Sequence, residues 1–339
     1  MPDACIHGWV KDRDEALYRR VGCSGHSGQK SCGPPRVVTV TTEDVLRKVI
    51  WTAIVALACG VFFGGAMVSA AEYNKPIKIG WTAWSSTEAN TKLVRAILED
   101  VMGYDVKLVM ADVGIQYQGV ANGDIDFMLM CWLPVTHKAY WDKVADKVVN
   151  LGPVFTRAKL GWVVPDYIPK EKVNSITDLT DPEVKERLDG KIMGIDPGAG
   201  LMQASEKAME IYGLSDAGYE LISSSGAGMT AALARAVKNK DWIVVTGWSP
   251  HWKFAKWDLR YIDDPEQVLG GRESSSCIAR KGFYQEVPYE VFEFLTRYFI
   301  PADDLEAIMY EARQSSYADA AKKYIEENPK RIHYWVTGE

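Results

Sequence analysis

The sequence predicts an α/β protein of two similar lobes, each a mostly parallel sheet flanked by helices. Three observations carry this expectation. Short apolar runs alternate with amphipathic stretches of helical period, the pattern of βαβ units. The series occurs twice. Each copy also ends on a tryptophan–proline corner, Trp132-Leu133-Pro134 in MLMCWLPVTHKAYW and Trp248-Ser249-Pro250 in VVTGWSPHWKFAKW. The copies open alike as well, on KIGWTAWSS with Gly80 and on KIMGIDPGAG with Gly194. Gly80 precedes Trp132 by 52 residues and Gly194 precedes Trp248 by 54. Two homologous lobes would present equivalent tryptophan-bearing loops to one shared cleft.

In the first series, residues 76–80 read as a strand. SSTEANTKLVRAILED follows as an amphipathic helix with Ser or Thr as its N-cap and Leu93, Ile97 and Val101 on one face. Residues 104–110 form a second strand. A helix through 116–121 stops at Asn122-Gly123-Asp124. Residues 126–133 form a third strand, which ends at the first corner. Residues 160–165 look like a strand leaving the lobe, and 166–190 are polar with a short helix after Asp181-Pro182. The second series has a strand at 191–196, a turn at Pro197-Gly198-Ala199-Gly200, a helix at 201–212, a strand at 219–223, a helix at 229–238 and a strand at 242–248. Residues 274–280 read as a returning strand. Helices at 288–299, 302–314 and 316–327 are expected to pack back on the first lobe. The expected division is residues 72–164 with 272–339 in lobe 1, and 165–271 in lobe 2.

The chain has 339 residues, 47% hydrophobic and 25% charged, ordinary for a globular protein with room for two domains. A net charge of −6 and the lack of a basic stripe interleaved with aromatics exclude a nucleic-acid partner. Residues 49–68 carry no charge, follow Arg47-Lys48 and end in Ser69-Ala70-Ala71. That is the plan of a secretory signal, so residues 45–71 are expected to direct export to the periplasm. An uncleaved anchor, holding the protein on the outer side of the cytoplasmic membrane, is the alternative. Residues 1–44 lack periodicity and are expected to be a non-native or disordered extension, with the true start near Val45. Cleavage would leave Cys131 and Cys277 alone among six cysteines, too few for a disulfide framework. Whether the two pair is open. The spacing of Cys5, His7, Cys23, His26 and Cys32 matches no standard zinc site. No metal or cofactor is expected.

Ligands of open α/β sheets bind at the carboxyl ends of the strands, where both corners and the turns after Gly80 and Asp196 lie. Trp84, Trp132 and Trp248 can therefore line one pocket. Indole faces carry negative potential, and a quaternary ammonium lacks strong donors, so surrounding it with such faces is the way to hold it. Each cation–π contact contributes about 0.5–2 kcal/mol. The turn Asp196-Pro197-Gly198-Ala199-Gly200-Leu201 opens a helix, whose free N–H groups suit an anion. No Lys-Ser/Thr follows it, which argues against nucleotide and for a small carboxylate. His137 is a candidate donor to the same group, or else a structural hydrogen bonder; His251 reads as structural. There is no Gly-x-Ser-x-Gly elbow, no His-Glu-x-x-His helix and no complete Cys/His arrangement, so no catalytic residue is assigned and no enzyme is expected.

Four segments, KIGWTAWSSTEANTKLVRAILED, YQGVANGDIDFMLMCWLPVTHKAYW, KIMGIDPGAGLMQASEKAMEIYGL and VVTGWSPHWKFAKWDLRYIDDP, together resemble the glycine betaine/proline betaine substrate-binding proteins of ABC importers. The resemblance covers about residues 76–337. It implies a type II periplasmic-binding-protein fold, two α/β lobes with a hinge that close on ligand. It implies that Trp84, Trp132 and Trp248 cage a trimethylammonium group. It also implies that the N–H groups of Gly200 and Leu201, with His137, hold a carboxylate. The implied partners are a membrane permease and its ATPase subunit, the protein itself acting as a monomer. Choline, carnitine and dimethylsulfoniopropionate are alternative ligands, and an enzyme acting on quaternary amines is the reading from another class.

Overall fold

The structure is a computed structural model and describes residues 73–339. The expected extension, signal segment and cysteine–histidine cluster lie outside the described residues. No helix among the described residues is long and apolar enough to cross a membrane.

The first half runs β1 (Ile77–Trp81), α1 (Ser85–Ala96) continued by a π-helical turn (Ile97–Val101), β2 (Val106–Met110), α2 (Val113–Asn122), β3 (Phe127–Leu133) and α3 (Lys138–Trp141). The long β4 (Val148–Pro165) follows, then a 3-10 turn (Ile176–Thr180) and α4 (Pro182–Arg187). The second half comprises β5 (Lys191–Met193), α5 (Gly200–Ile211), β6 (Glu220–Ile222), α6 (Gly226–Asn239), β7 (Val244–Ser249), α7 (Lys253–Lys256) and β8 (Leu259–Tyr261). The chain returns through β9 (Arg272–Arg280) and closes with α8 (Phe283–Glu286), α9 (Tyr289–Arg297), α10 (Ala302–Ala312), α11 (Tyr317–Glu327) and α12 (Pro329–Thr337).

One sheet holds the strands in the order β2-β1-β3-β9-β4-β7-β5-β6, with β8 on β4. Its two ends repeat the same motif. β1 pairs in parallel with β2 and β3, and β5 pairs in parallel with β6 and β7. Between them β4 and β9 run antiparallel to each other and to the neighbouring strands of each half. The two-lobed, mostly parallel α/β fold expected from the repeat is therefore present, joined by two crossing strands.

The opening glycines of the repeat have a matched packing reason. A Cβ on Gly80 would lie 2.2 Å from Gln116 Oε1, and one on Gly194 would lie 2.3 Å from Met202 Sδ. In each half a helix side chain crosses the first strand where only hydrogen leaves room. Buried Gln116 uses that passage to donate from Nε2 to the carbonyls of Trp81 (2.7 Å) and Val109 (2.9 Å), tying β1 to β2. The larger apolar core spans the first half, the cleft and the C-terminal helices; a smaller one, around Trp162, Ile176, Leu179 and Ile192, fills the second half. Helices α10 and α11 pack on α1, as expected.

Four local expectations are corrected. Helix α1 has Trp84 as its N-cap, in extended conformation and without a side-chain cap bond, rather than Ser or Thr. Leu93 and Ile97 are buried but Val101 is exposed, because the π turn adds a residue to the period and rotates the face. The strand expected at 191–196 ends at Met193, where β6 and β7 stop pairing with it. The crossing strand begins at Val148 rather than near Leu160.

Candidate functional site: a tryptophan-lined interlobe cleft

A cleft between the halves encloses about 310 Å³ of empty space, including its open mouth. All six residues singled out in the sequence line it: Trp84, Trp132, His137, Gly200, Leu201 and Trp248. Thr136, Leu160, Ile195 and Ala199 complete the wall. None of these four was singled out from the sequence, although Thr136, Ile195 and Ala199 lie within the corner and turn motifs; strand pairing alone brings Leu160 there, opposite Trp248.

Each tryptophan is set by a strand end. Trp84 follows β1. Trp132 is the penultimate residue of β3, pairs with Ser275 on β9 and meets Phe155 edge-on at 5.5 Å. Trp248 in β7 pairs with Leu160 on β4 and meets His251 edge-on at 4.7 Å. The indoles are nearly buried, so their remaining open surface is the cleft. Two indole N–H groups cross between halves: Trp84 Nε1 donates to Asp196 Oδ2 at 2.8 Å, and Trp248 Nε1 to Ser86 Oγ at 3.3 Å. His251 lies outside the lining; its Nδ1 accepts from the Lys253 N–H at 3.1 Å, a structural role.

Opposite the indoles lies the first turn of α5. The N-terminal N–H groups of a helix lack intrahelical partners. Ala199, the N-cap, offers no side-chain oxygen, and its carbonyl takes the N–H groups of Met202 (2.9 Å) and Gln203 (3.1 Å). Gly200 and Leu201 N–H thus have no hydrogen-bond partner among the described residues. The packing here is close, since a Cβ on Gly200 would lie 2.1 Å from the Thr136 carbonyl oxygen across the cleft.

His137 is 1% exposed. Burial pushes its imidazole down to about 3, against a smaller opposing contribution from the Met130 carbonyl, so the ring is neutral at physiological pH. The Trp132 N–H donates to Nδ1 at 3.3 Å, and a backbone N–H can only donate. The proton of the neutral ring therefore sits on Nε2. His137 is a neutral single donor, 6.0 Å from the Trp84 ring. The wall contains no Asp, Glu, Lys, Arg or Cys. Three π faces, two free backbone N–H groups and one neutral N–H donor suit a solute with a soft cation at one end and an anion at the other.

Residues 75–327 match the family model described as the substrate binding domain of the ABC-type glycine betaine transport system. The glycine betaine/carnitine transport binding protein GbuC of Listeria monocytogenes is 37% identical over 186 residues, 55% of this chain and 58% of that protein. The match therefore spans little more than half of that relative's length. Lactococcal OpuAC, solved closed in complex with glycine betaine, is 38% identical with a TM-score of 0.72, over 78% of this chain and all of that one. An ABC-transporter choline-binding protein solved in complex with choline is 26% identical with a TM-score of 0.70, over 78% of this chain and 92% of that one. With the two-lobed fold and the aromatic cleft in place, the chain belongs to the family of substrate-binding domains of ABC-type glycine betaine transport systems.

Proposed function

We propose that this protein is the exported solute-binding component of an ABC importer, capturing glycine betaine or a close quaternary-ammonium relative and delivering it to a membrane permease with its ATPase subunit. Trp84, Trp132 and Trp248 cage the trimethylammonium group. The N–H groups of Gly200 and Leu201 and the Nε2–H of His137 hold the carboxylate. The observation that carries this reading is the pairing, in one cleft, of three indole faces with two unpaired backbone N–H groups and a neutral histidine. The protein acts as a monomer and as a binder rather than an enzyme; the cleft wall offers no acid–base pair, since His137 is its only titratable side chain and is held neutral. Lobe 1 (72–164 and 272–339) and lobe 2 (165–271) close on ligand about β4 and β9; ligand shifts the balance by its higher affinity for the closed form. Export through residues 45–71 fits this role, as does removal or absence of 1–44 in the mature protein.

Calorimetric titration of the purified protein with glycine betaine tests the reading. One-to-one binding in the micromolar range, about 8 kcal/mol, is expected. Trp132→Ala is expected to weaken it by more than about tenfold, the loss of one desolvated cation–π contact, with the circular dichroism spectrum retained. Unchanged affinity would remove Trp132 from the cage, and no betaine binding by folded protein would leave the family fold with another ligand. The choline-bound neighbour favours a second reading in which the cation alone is recognised. His137→Ala separates the two. It is expected to weaken glycine betaine by about 10- to 100-fold, the loss of one hydrogen bond to a charged group, and to leave choline unchanged. Equal losses for both ligands would deny His137 a carboxylate role.

A further inference from the structure

Among the cage tryptophans, Trp84 differs in its indole N–H partner. Trp248 donates to a neutral hydroxyl, Ser86 Oγ, at 3.3 Å. Trp84 donates to a carboxylate, Asp196 Oδ2, at 2.8 Å, across the cleft from the other half of the fold. Asp196 is half-buried, lies outside the cleft lining and forms no ion pair among the described residues. Its side chain has no other hydrogen bond there, while its backbone carbonyl takes the Ala199 N–H at 2.9 Å in the turn before α5.

This arrangement has three physical consequences. A hydrogen bond to an ionised acceptor is roughly twice as strong as a neutral one, so it holds the indole plane firmly. Polarising the N–H bond toward a carboxylate moves electron density into the ring and makes its face more negative, strengthening attraction for a cation. Finally, the bond joins β1's loop to β5's loop, so it exists only when the halves are together. Ligand and carboxylate thus favour the same closed state.

We infer that Asp196 is a positioning residue of the cation cage, acting through the Trp84 indole N–H to orient and enrich that face in the closed form. This rests on the quaternary-ammonium reading above and adds a residue that does not touch the ligand. The rival role is local: Asp196 shaping the turn that leads to Gly200 and Leu201, and so acting on the carboxylate end.

A double-mutant cycle decides between them, with glycine betaine titrated calorimetrically into full-length wild type, Asp196→Ala, Trp84→Phe and the double variant. Trp84→Phe keeps a smaller aromatic face and removes the N–H, so binding stays measurable at millimolar ligand, and the loss of ring area, common to both variants that carry it, cancels in the cycle. Asp196→Ala is expected to weaken binding about tenfold in the wild-type background, as for a hydrogen bond to a charged group, and less than about twofold beside Trp84→Phe. Asp196→Asn, which retains an acceptor without the charge, is expected to fall between, and carries the test if the alanine variant folds poorly. The indole N–H Raman signal of the liganded protein should shift toward weaker hydrogen bonding in Asp196→Ala, a change that a purely turn-shaping role does not produce. Equal losses in both backgrounds, or no loss in either, would overturn the inference. Failure of the wild type itself to bind glycine betaine would instead overturn the functional reading on which it rests.

Discussion

Replacing Gly200 with alanine is expected to weaken glycine betaine binding by about 10- to 100-fold, the usual range for overpacking a close contact, while leaving the melting temperature of the unliganded protein nearly unchanged. The added Cβ would lie 2.1 Å from the Thr136 carbonyl oxygen and 2.8 Å from its Cγ2. Neither atom belongs to the end of a long flexible side chain, so relief has to come from moving one half away from the other. The backbone itself raises no objection. Gly200 opens α5 without a positive φ, and alanine is the best helix former. The penalty therefore falls on the closed state alone. Calorimetry and small-angle scattering with and without ligand check it: the variant should stay open at ligand concentrations that close the wild type. Full closure with unchanged affinity would mean that Thr136 and Gly200 are not opposed in the bound form.

A second large effect is expected from Lys253→Met, this time on stability. The Lys253 side chain is wholly buried, with Nζ 4.5 Å from the Trp248 ring centroid and 3.5 Å from the Trp248 carbonyl oxygen. No carboxylate among the described residues forms an ion pair with it; the half-buried Glu306 instead accepts from the His251 N–H at 2.9 Å. Burial pushes the lysine down to about 7 from 10.5, with the Glu306 charge opposing; the neighbouring His251 is itself held neutral by burial, with Lys253 adding to that. A lysine lowered on folding stays protonated in the unfolded chain up to about pH 10.5, so its burial costs stability everywhere below that pH. The cost grows as pH falls from 10.5 toward 7 and levels off below. Methionine fills similar volume without the charge, so the melting temperature should rise by at least about 3 °C at pH 7, the effect of roughly 1 kcal/mol in a domain of this size. The gain should shrink by pH 10. An equal gain at both pH values would mean that the lysine is not desolvated. Affinity carries the same signature. The ammonium competes with the ligand's cation for the electron density of Trp248, so glycine betaine should bind more tightly at pH 8 than at pH 6 in the wild type and equally in Lys253→Met. His137, neutral down to about pH 3, does not contribute across that interval.

Much of the architecture was legible because each half encodes it locally. An apolar run ending in a Trp-Pro corner makes a strand that stops, and Gly123, in the left-handed conformation, stops α2 as Asn122-Gly123-Asp124 predicts. Asp181 caps α4 through two backbone N–H groups ahead of Pro182. The front of β4 was not legible. It contains Gly152-Pro153 and Arg157 at φ 60°, and its register against β9 shifts three times, so no two-residue period survives in the sequence. Helix α12 was missed behind Pro329, which occupies a first-turn position where its missing N–H costs nothing. The six site residues were reached through the internal repeat and through resemblance to a family; their convergence on one cleft is a property of the folded chain.

The sequence by itself determined the two βαβ series, the strand-end tryptophans and the helix start with free N–H groups, because these depend on neighbours a few residues away. The tertiary structure alone decided that Thr136 faces Gly200, that Trp84 donates to Asp196, that Lys253 lies beneath Trp248 and that His137 keeps its proton on Nε2. The physical reason is shared. Steric fit, desolvation and hydrogen-bond direction are set by where the halves and their packed layers meet: two of those contacts join residues too far apart in the chain for any local pattern to record, and the two between residues five apart depend on burial that only the packed layers supply.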